Sequence, residues 1–271
     1  MSAKNDSIWN ALRAEAEESA TTERLLVAYF QETVLGQKSF AAALSYTLAS
    51  KLRDDILPSI TLRDLFLEIL EEEDGLREIV RVDLQAVKDR DPAAAGYLTP
   101  FLFFKGFHAL SAYRFAHYLW FEDRKTLALY LQSLISKVFG VDIHPAATIG
   151  RGILIDHGNG VVIGETAVLG DNVSIMQGVT LGGTGKEQGD RHPKVADGVL
   201  IASGAKVLGN IRIGEGAKVG AGSGVLKDVK AHCTVVGVPA KSVGVCRESA
   251  PALAMNQQIE NNGFGGFDPV I

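Results

Sequence analysis

The chain has 271 residues, 46% of them apolar and 22% charged, and a formal net charge of −5. That length supports one large or two ordinary domains, and the composition excludes wholesale disorder. The acidic balance gives no basic footprint, so nucleic acid is not an expected partner. Only Cys233 and Cys246 are present, with no Cys-x-x-Cys spacing, which suits a reducing cytoplasm rather than a disulfide framework. The opening MSAKNDSIWNALRAEAEE is acidic and helical, unlike a secretory signal. The longest apolar run, Tyr97 to Phe104, is far too short to cross a bilayer, and a soluble protein with no membrane partner is expected.

Residues 1–140 carry apolar side chains at helical spacing, as in Leu65, Phe66, Ile69 and Leu70, or Leu110, Tyr113, Phe115, His117, Leu119 and Trp120. Thr61 and Asp64 have the spacing of a capping box before such a run. Pro58, Pro92 and Pro100 punctuate the helices, and Gly140 suits a C-cap. A domain of six to eight helices is predicted.

Beyond Gly140 the pattern changes. Ile143, Ile149, Ile155, Val161, Ala167, Val173 and Val179 recur at every sixth position. A second six-residue frame runs through Ile163, Leu169 and Ile175, and resumes through Ile201, Val207, Ile213, Val219 and Val225. A helix repeats its face at 3.6 residues and a strand at 2, so a sustained period of six fits neither. It fits a short strand plus a corner, three of which close a triangular coil, and about four coils over 141–246 are predicted. The class is α+β: an all-helical domain, then a parallel β-helix. Residues 182–193 (GGTGKEQGDRHP) break the period as a loop thrown out of the stack, and 247–271 read as a mobile tail.

The residues suited to chemistry gather in the early coils and the loop. His157, in Asp156-His157-Gly158-Asn159-Gly160, sits in a stretch too small and polar for a core. Its imidazole suits removal of a proton from an attacking hydroxyl. Asp142 and Asp156 are the carboxylates that would orient it. Asp156 is adjacent, so its side chain is expected to point away, whereas Asp142 lies about one coil below and is favoured.

Asp142-Ile143-His144-Pro145, Asp156-His157-Gly158, Val162-Ile163-Gly164-Glu165-Thr166, Gly182-Gly183-Thr184-Gly185 and Gly189-Asp190-Arg191-His192-Pro193 together resemble the bacterial serine O-acetyltransferases of the hexapeptide-repeat superfamily. The resemblance implies a left-handed β-helix and transfer of acetyl from acetyl-CoA to L-serine, with no resident cofactor or metal. It implies His157 as general base oriented by Asp142, Asp91 and Asp156 on the serine ammonium, and Arg191 and His192 on its carboxylate. Glu165 is left as a supporting or solvated residue.

Acetyl-CoA needs a long groove, and the small residues Ala202, Ser203, Gly220, Ala221 and Gly222 are candidates to line it. Lys218 is the candidate for a CoA phosphate, and Gly183 and Thr184 for backbone donors to the thioester. The resemblance further implies L-cysteine as feedback inhibitor, a homo-oligomer built as a dimer of trimers, and cysteine synthase as a partner gripped by Ile271. Competing readings are another hexapeptide O-acyltransferase acting on a sugar or xenobiotic hydroxyl, a non-catalytic scaffold, and a γ-class carbonic anhydrase, which needs three zinc-ligating histidines at a spacing that His144, His157, His192 and His232 do not have.

Overall fold

A computed structural model describes residues 6–185 and 188–259. Before the solenoid run α1 (Ser7–Thr22), α2 (Val27–Phe30), α3 (Phe40–Leu52), α4 (Ser59–Glu72), α5 (Asp74–Arg90), α6 (Leu98–Phe103), α7 (Lys105–Phe121) and α8 (Lys125–Phe139). Asp6 caps α1 through its carboxylate on the Trp9 N–H, and Ser39 caps α3 in the same way. The predicted capping box at Thr61 is not used: α4 opens two residues earlier, at Ser59 after Pro58, and Asp64 pairs with Arg63 instead. Proline presets the dihedral at the helix entrance, so no side-chain cap is needed there. Gly140 closes α8 in the left-handed region at φ 68°.

The chain then winds through three parallel sheets. Sheet I contains β1 (Val141–Ile143), β4 (Val161–Ile163), β7 (Thr180–Gly182), β10 (Lys206–Leu208) and β13 (Gly224–Val225). Sheet II contains β2 (Thr148–Ile149), β5 (Val168–Leu169), β8 (Lys194–Val195) and β11 (Arg212–Ile213). Sheet III contains β3 (Leu154–Ile155), β6 (Ser174–Ile175), β9 (Leu200–Ile201), β12 (Lys218–Val219) and β14 (Cys233–Val236), with β15 (Lys241–Val245) added antiparallel to β14. Five strands in sheet I make five coils rather than four. The last coil is missed in the sequence because its sheet II side shrinks to one bridge, Ile213 to Val229.

Register shows where the coils are not uniform. Val162 lies beside Thr180 and Lys206 beside Gly224, which are 18-residue coils. Val141 lies beside Val161, a 20-residue coil, and Thr180 beside Lys206, a 26-residue coil that contains the predicted loop. Two extra residues in the first coil fall between Ile155 and Val161. The sixth-position series hides them, because both of its frames point inward: Ile155, Ile163, Val161 and Ile175 are all buried.

The apolar core runs without a break from the helices into the solenoid. Its seam is polar and specific. Asp83 of α5 and Arg114 of α7 form a buried pair at 2.6 Å, with side chains 1% and 5% exposed. Asp83 accepts the Ile153 N–H, and Arg114 donates to the Ile149 and Gly150 carbonyls. Both members of the pair are thus also hydrogen-bonded to first-coil backbone, as such burial requires. Gly106 of α7 lies directly on β3, where a Cβ would stand 1.9 Å from the Ile155 carbonyl oxygen.

After β15, the segment 247–259 lies along sheet III instead of running free, and includes α9 (Pro251–Ala254). The Ala252 N–H bonds the Gly198 carbonyl, and Lys218 donates to the Gln258 carbonyl. Ile271 lies outside the described residues. No helix among them is long and apolar enough to cross a membrane.

Candidate active site

The two extra residues of the first coil are where His157 sits. The Gly178 N–H bonds Asn159 and the Gly160 N–H bonds Gly140, so the backbone ladder resumes at Asn159 and leaves His157 and Gly158 as a bulge. His157 takes φ 55° and Gly158 φ 78°, both left-handed. The imidazole is held out of the solenoid, 70% exposed, on the corner between sheets III and I. Left-handed backbone also undoes the expected alternation of side chains. The Asp156 carboxylate does not point away from its neighbour but lies 3.8 Å from His157 Nε2.

Asp156, His157 and Asp91 line one open cleft of about 820 Å³, together with Phe104, Lys105 and Met255. Asp91 caps the turn after α5, where its carboxylate accepts the Ala93 N–H at 2.8 Å. Burial pushes the Asp156 carboxyl above the usual carboxylate range; the His157 imidazole opposes this and the Asp91 charge adds to it. Two carboxylates facing one cleft make a site for a small cation such as an ammonium.

The second group stands on the other edge of sheet I. Arg191 Nη2 donates to Glu165 at 2.7 Å, so Glu165 is a partner that aims the guanidinium. Thr166 ties the loop's foot: its Oγ1 accepts the N–H groups of Arg191 and His192 at 3.0 and 3.1 Å. The His192 ring packs so close over Gly164 that any Cβ there would overlap it. Burial, and then the Arg191 charge, hold His192 below the ordinary histidine range, so the ring is neutral. Its Nδ1 accepts the Thr166 N–H at 3.1 Å, which puts the proton on Nε2 as a donor. Arg191 and His192 therefore offer donors suited to a carboxylate. His144 lies edge-on to Trp120 and is likewise lowered by burial.

Asp142 is the central residue of β1, the terminal strand of sheet I, where it lies beside Val162. Its Oδ1 accepts from Gln132 of α8 at 2.7 Å, and among the described residues it makes no hydrogen bond to His157. No hydrogen bond joins the two groups either, which stand a three-residue strand apart, roughly 10 Å.

Ser203 and Gly222 stack on the His157 corner, with the Gly204 N–H bonding Gln177 and the Gly222 N–H bonding Ser203. Ala202, Gly220 and Ala221 share that edge, Ala202 being buried and Gly220 in reach of Val236 and Ile259. Gly183 and Thr184 stand at the root of the loop, Gly183 beside the Arg191 carbonyl. Lys218 is placed differently from an open phosphate ligand. It is 4% exposed and faces Glu248 and the Gln258 carbonyl under the terminal segment. Among the described residues no group of His, Cys, Asp or Glu is arranged to hold a metal ion.

Comparison with known proteins bears on this arrangement. The family profile described as "Serine acetyltransferase, N-terminal" matches residues 8–112, and "Bacterial transferase hexapeptide (six repeats)" matches 192–227. The serine acetyltransferase of Haemophilus influenzae is 51% identical over 250 residues, 92% of this chain and 94% of its own. A solved serine acetyltransferase in complex with cysteine superposes with TM-score 0.91 at 50% identity, over 93% of this chain and 98% of that one. The soybean enzyme complexed with serine gives 0.86 at 53%, over 87% and 97%. The Brucella abortus enzyme in complex with coenzyme A gives 0.88 at 49%, over 89% and 97%. With half its residues shared across nearly its whole length, the chain belongs to the serine acetyltransferase family.

Proposed function

We propose that the chain transfers the acetyl group of acetyl-CoA to the hydroxyl of L-serine, giving O-acetylserine and CoA. The observation that carries this reading is the exposed His157 imidazole, raised on its bulge beside two carboxylates. The imidazole takes the hydroxyl proton as the serine oxygen attacks the thioester carbonyl. It returns that proton to the CoA sulfur as the tetrahedral intermediate collapses. Asp91 and Asp156 hold the ammonium, and Arg191 and His192 the carboxylate. Asp142 is the proposed orienting carboxylate, since Gln132 occupies one of its oxygens and leaves Oδ2 for the imidazolium. CoA runs along the corner of Ala202, Ser203, Gly220, Ala221 and Gly222, with Gly183 and Thr184 near the thioester. For Lys218 to reach a phosphate it must leave Glu248.

Because the ammonium and carboxylate groups stand on opposite edges of one sheet, a neighbouring copy's loop completes each site. A trimer paired into a hexamer through the helices supplies that arrangement. L-Cysteine shares serine's ammonium and carboxylate, so it inhibits by competing for the same groups, a reading supported by the solved cysteine complex of a relative. The family resemblance supports Ile271 as the anchor for cysteine synthase, and the sparse cysteines, Cys233 and Cys246, support a cytoplasmic location.

The test is His157→Asn, which lowers kcat by roughly 10²- to 10⁴-fold while CoA binding survives. Asp142→Asn costs less, because it orients the ring and transfers nothing. A His157→Asn enzyme keeping more than about a third of wild-type kcat, far above the range for a lost general base, removes this mechanism.

A further inference from the structure

Arg90, the last residue of α5, lines the cleft but touches neither His157 nor a carboxylate of the site. It is only 8% exposed. Its Nη1 donates to Ser174 Oγ at 3.2 Å and its Nη2 to Asn172 Oδ1 at 3.0 Å. Ser174 is fully buried and donates its own hydroxyl to the Ala252 carbonyl of α9 at 2.9 Å. A single guanidinium thus joins three parts of the chain: the end of α5, the second coil of the solenoid and the terminal segment. Two of these are walls of the cleft. Asp91 follows Arg90 directly, and Ala254, Met255 and Gln257 follow the carbonyl that Ser174 holds.

We propose that Arg90 is a positioning residue, which clasps the Asp91 turn and the α9 segment to the second coil and so fixes the width of the substrate cleft. Burial pushes its guanidinium down to about 10, with Asp83 and Asp89 opposing, so it remains a cation at neutral pH. A fork is needed because the two acceptors are two residues apart, and a point ammonium satisfies one of them. The inference deepens the serine-site reading and rests on it for its kinetic arm alone.

The experiment uses the full chain with Arg90→Lys, Arg90→Met and Ser174→Ala. Serine is varied at saturating acetyl-CoA, and hydrogen exchange is followed in the peptide covering 251–257. Losing hydrogen bonds from a charged donor predicts a serine KM about 10-fold higher in Arg90→Met, with kcat within about threefold. Arg90→Lys restores part of that loss. Exchange at 251–257 quickens about tenfold in Arg90→Met and in Ser174→Ala, which cuts only the α9 arm. Should Arg90→Met not fold, Arg90→Lys and Ser174→Ala carry the test. A merely structural arginine lowers the yield of folded enzyme and leaves serine KM and α9 exchange unchanged, and that result overturns the clasp. If the wild-type chain does not turn over serine, the functional reading falls, while unchanged or quickened exchange still decides the clasp.

Discussion

Gly106→Ala isolates the link between packing and chemistry. Gly106 sits in the first turn of α7, where helix propensity alone favours alanine by about 1 kcal/mol. The structure predicts the opposite sign. The new methyl would stand 1.9 Å from the Ile155 carbonyl oxygen, a backbone atom that no rotamer change can move. Reaching an ordinary contact near 3.4 Å requires α7 and β3 to part by about 1.5 Å. Overpacking of this kind costs typically 1–3 kcal/mol, and a displacement of about 1.5 Å against backbone belongs at the upper end, above the propensity gain. The net loss is as much as about 2 kcal/mol, which lowers Tm by up to roughly 8 °C in a chain of this size. Ile155 immediately precedes Asp156 and His157, so the same displacement moves the proposed base, and a misplacement of about 1 Å costs roughly 10²-fold in kcat. Thiol release from acetyl-CoA in the presence of serine gives kcat, and a thermal melt gives Tm. An enzyme with wild-type kcat and a higher Tm would show that propensity governs this position and that the α7–β3 contact does not hold the bulge.

Thr166→Val keeps shape but removes the oxygen that accepts the Arg191 and His192 N–H groups, so serine KM rises about 10- to 30-fold with a smaller change in kcat. An unchanged KM would remove the loop's foot from substrate binding. His108 is fully buried, donates to the Phe101 carbonyl and is pushed down to about 3, chiefly by burial. Its folded form stays neutral while the unfolded chain takes up a proton below about pH 6.5, so stability is lost as pH falls, by roughly 2 kcal/mol at pH 5. In His108→Gln the fall of the unfolding free energy from urea titration between pH 7 and pH 5 is smaller by that amount; equal falls in both proteins would contradict the assignment.

The solenoid was legible because a six-residue period belongs to no single helix or strand. The loop at 182–193 was legible for the converse reason, as the place where inward aliphatics stop. What stayed hidden is instructive. The bulge carrying His157 adds two residues without interrupting the series Ile155, Val161, since a triangular coil points two frames inward at once. Only the spacing of Ile155 to Val161 against Ile175 to Val179, six residues against four, records it. Asp156 was expected to face away because extended backbone alternates, and the left-handed turn at His157 removes that alternation. Thr166 gave no signal: a threonine at a corner looks like any solvated turn residue until the loop folds back on it. Composition made 247–259 look free, yet a short apolar turn and two carbonyls suffice to lay it on sheet III. Arg90 was invisible for a related reason, since its partners lie more than eighty residues away.

Serine's hydroxyl is the proposed acceptor, gripped at both its ammonium and its carboxylate. The decisive measurement is thiol release from acetyl-CoA across L-serine, L-homoserine, L-threonine and a set of amino-sugars. Turnover is expected to be fast with serine, slower with the two longer or branched amino acids, and absent with a sugar that lacks the α-carboxylate. Turnover of an amino-sugar with serine inert would contradict it and assign the chain's cleft to a different hydroxyl.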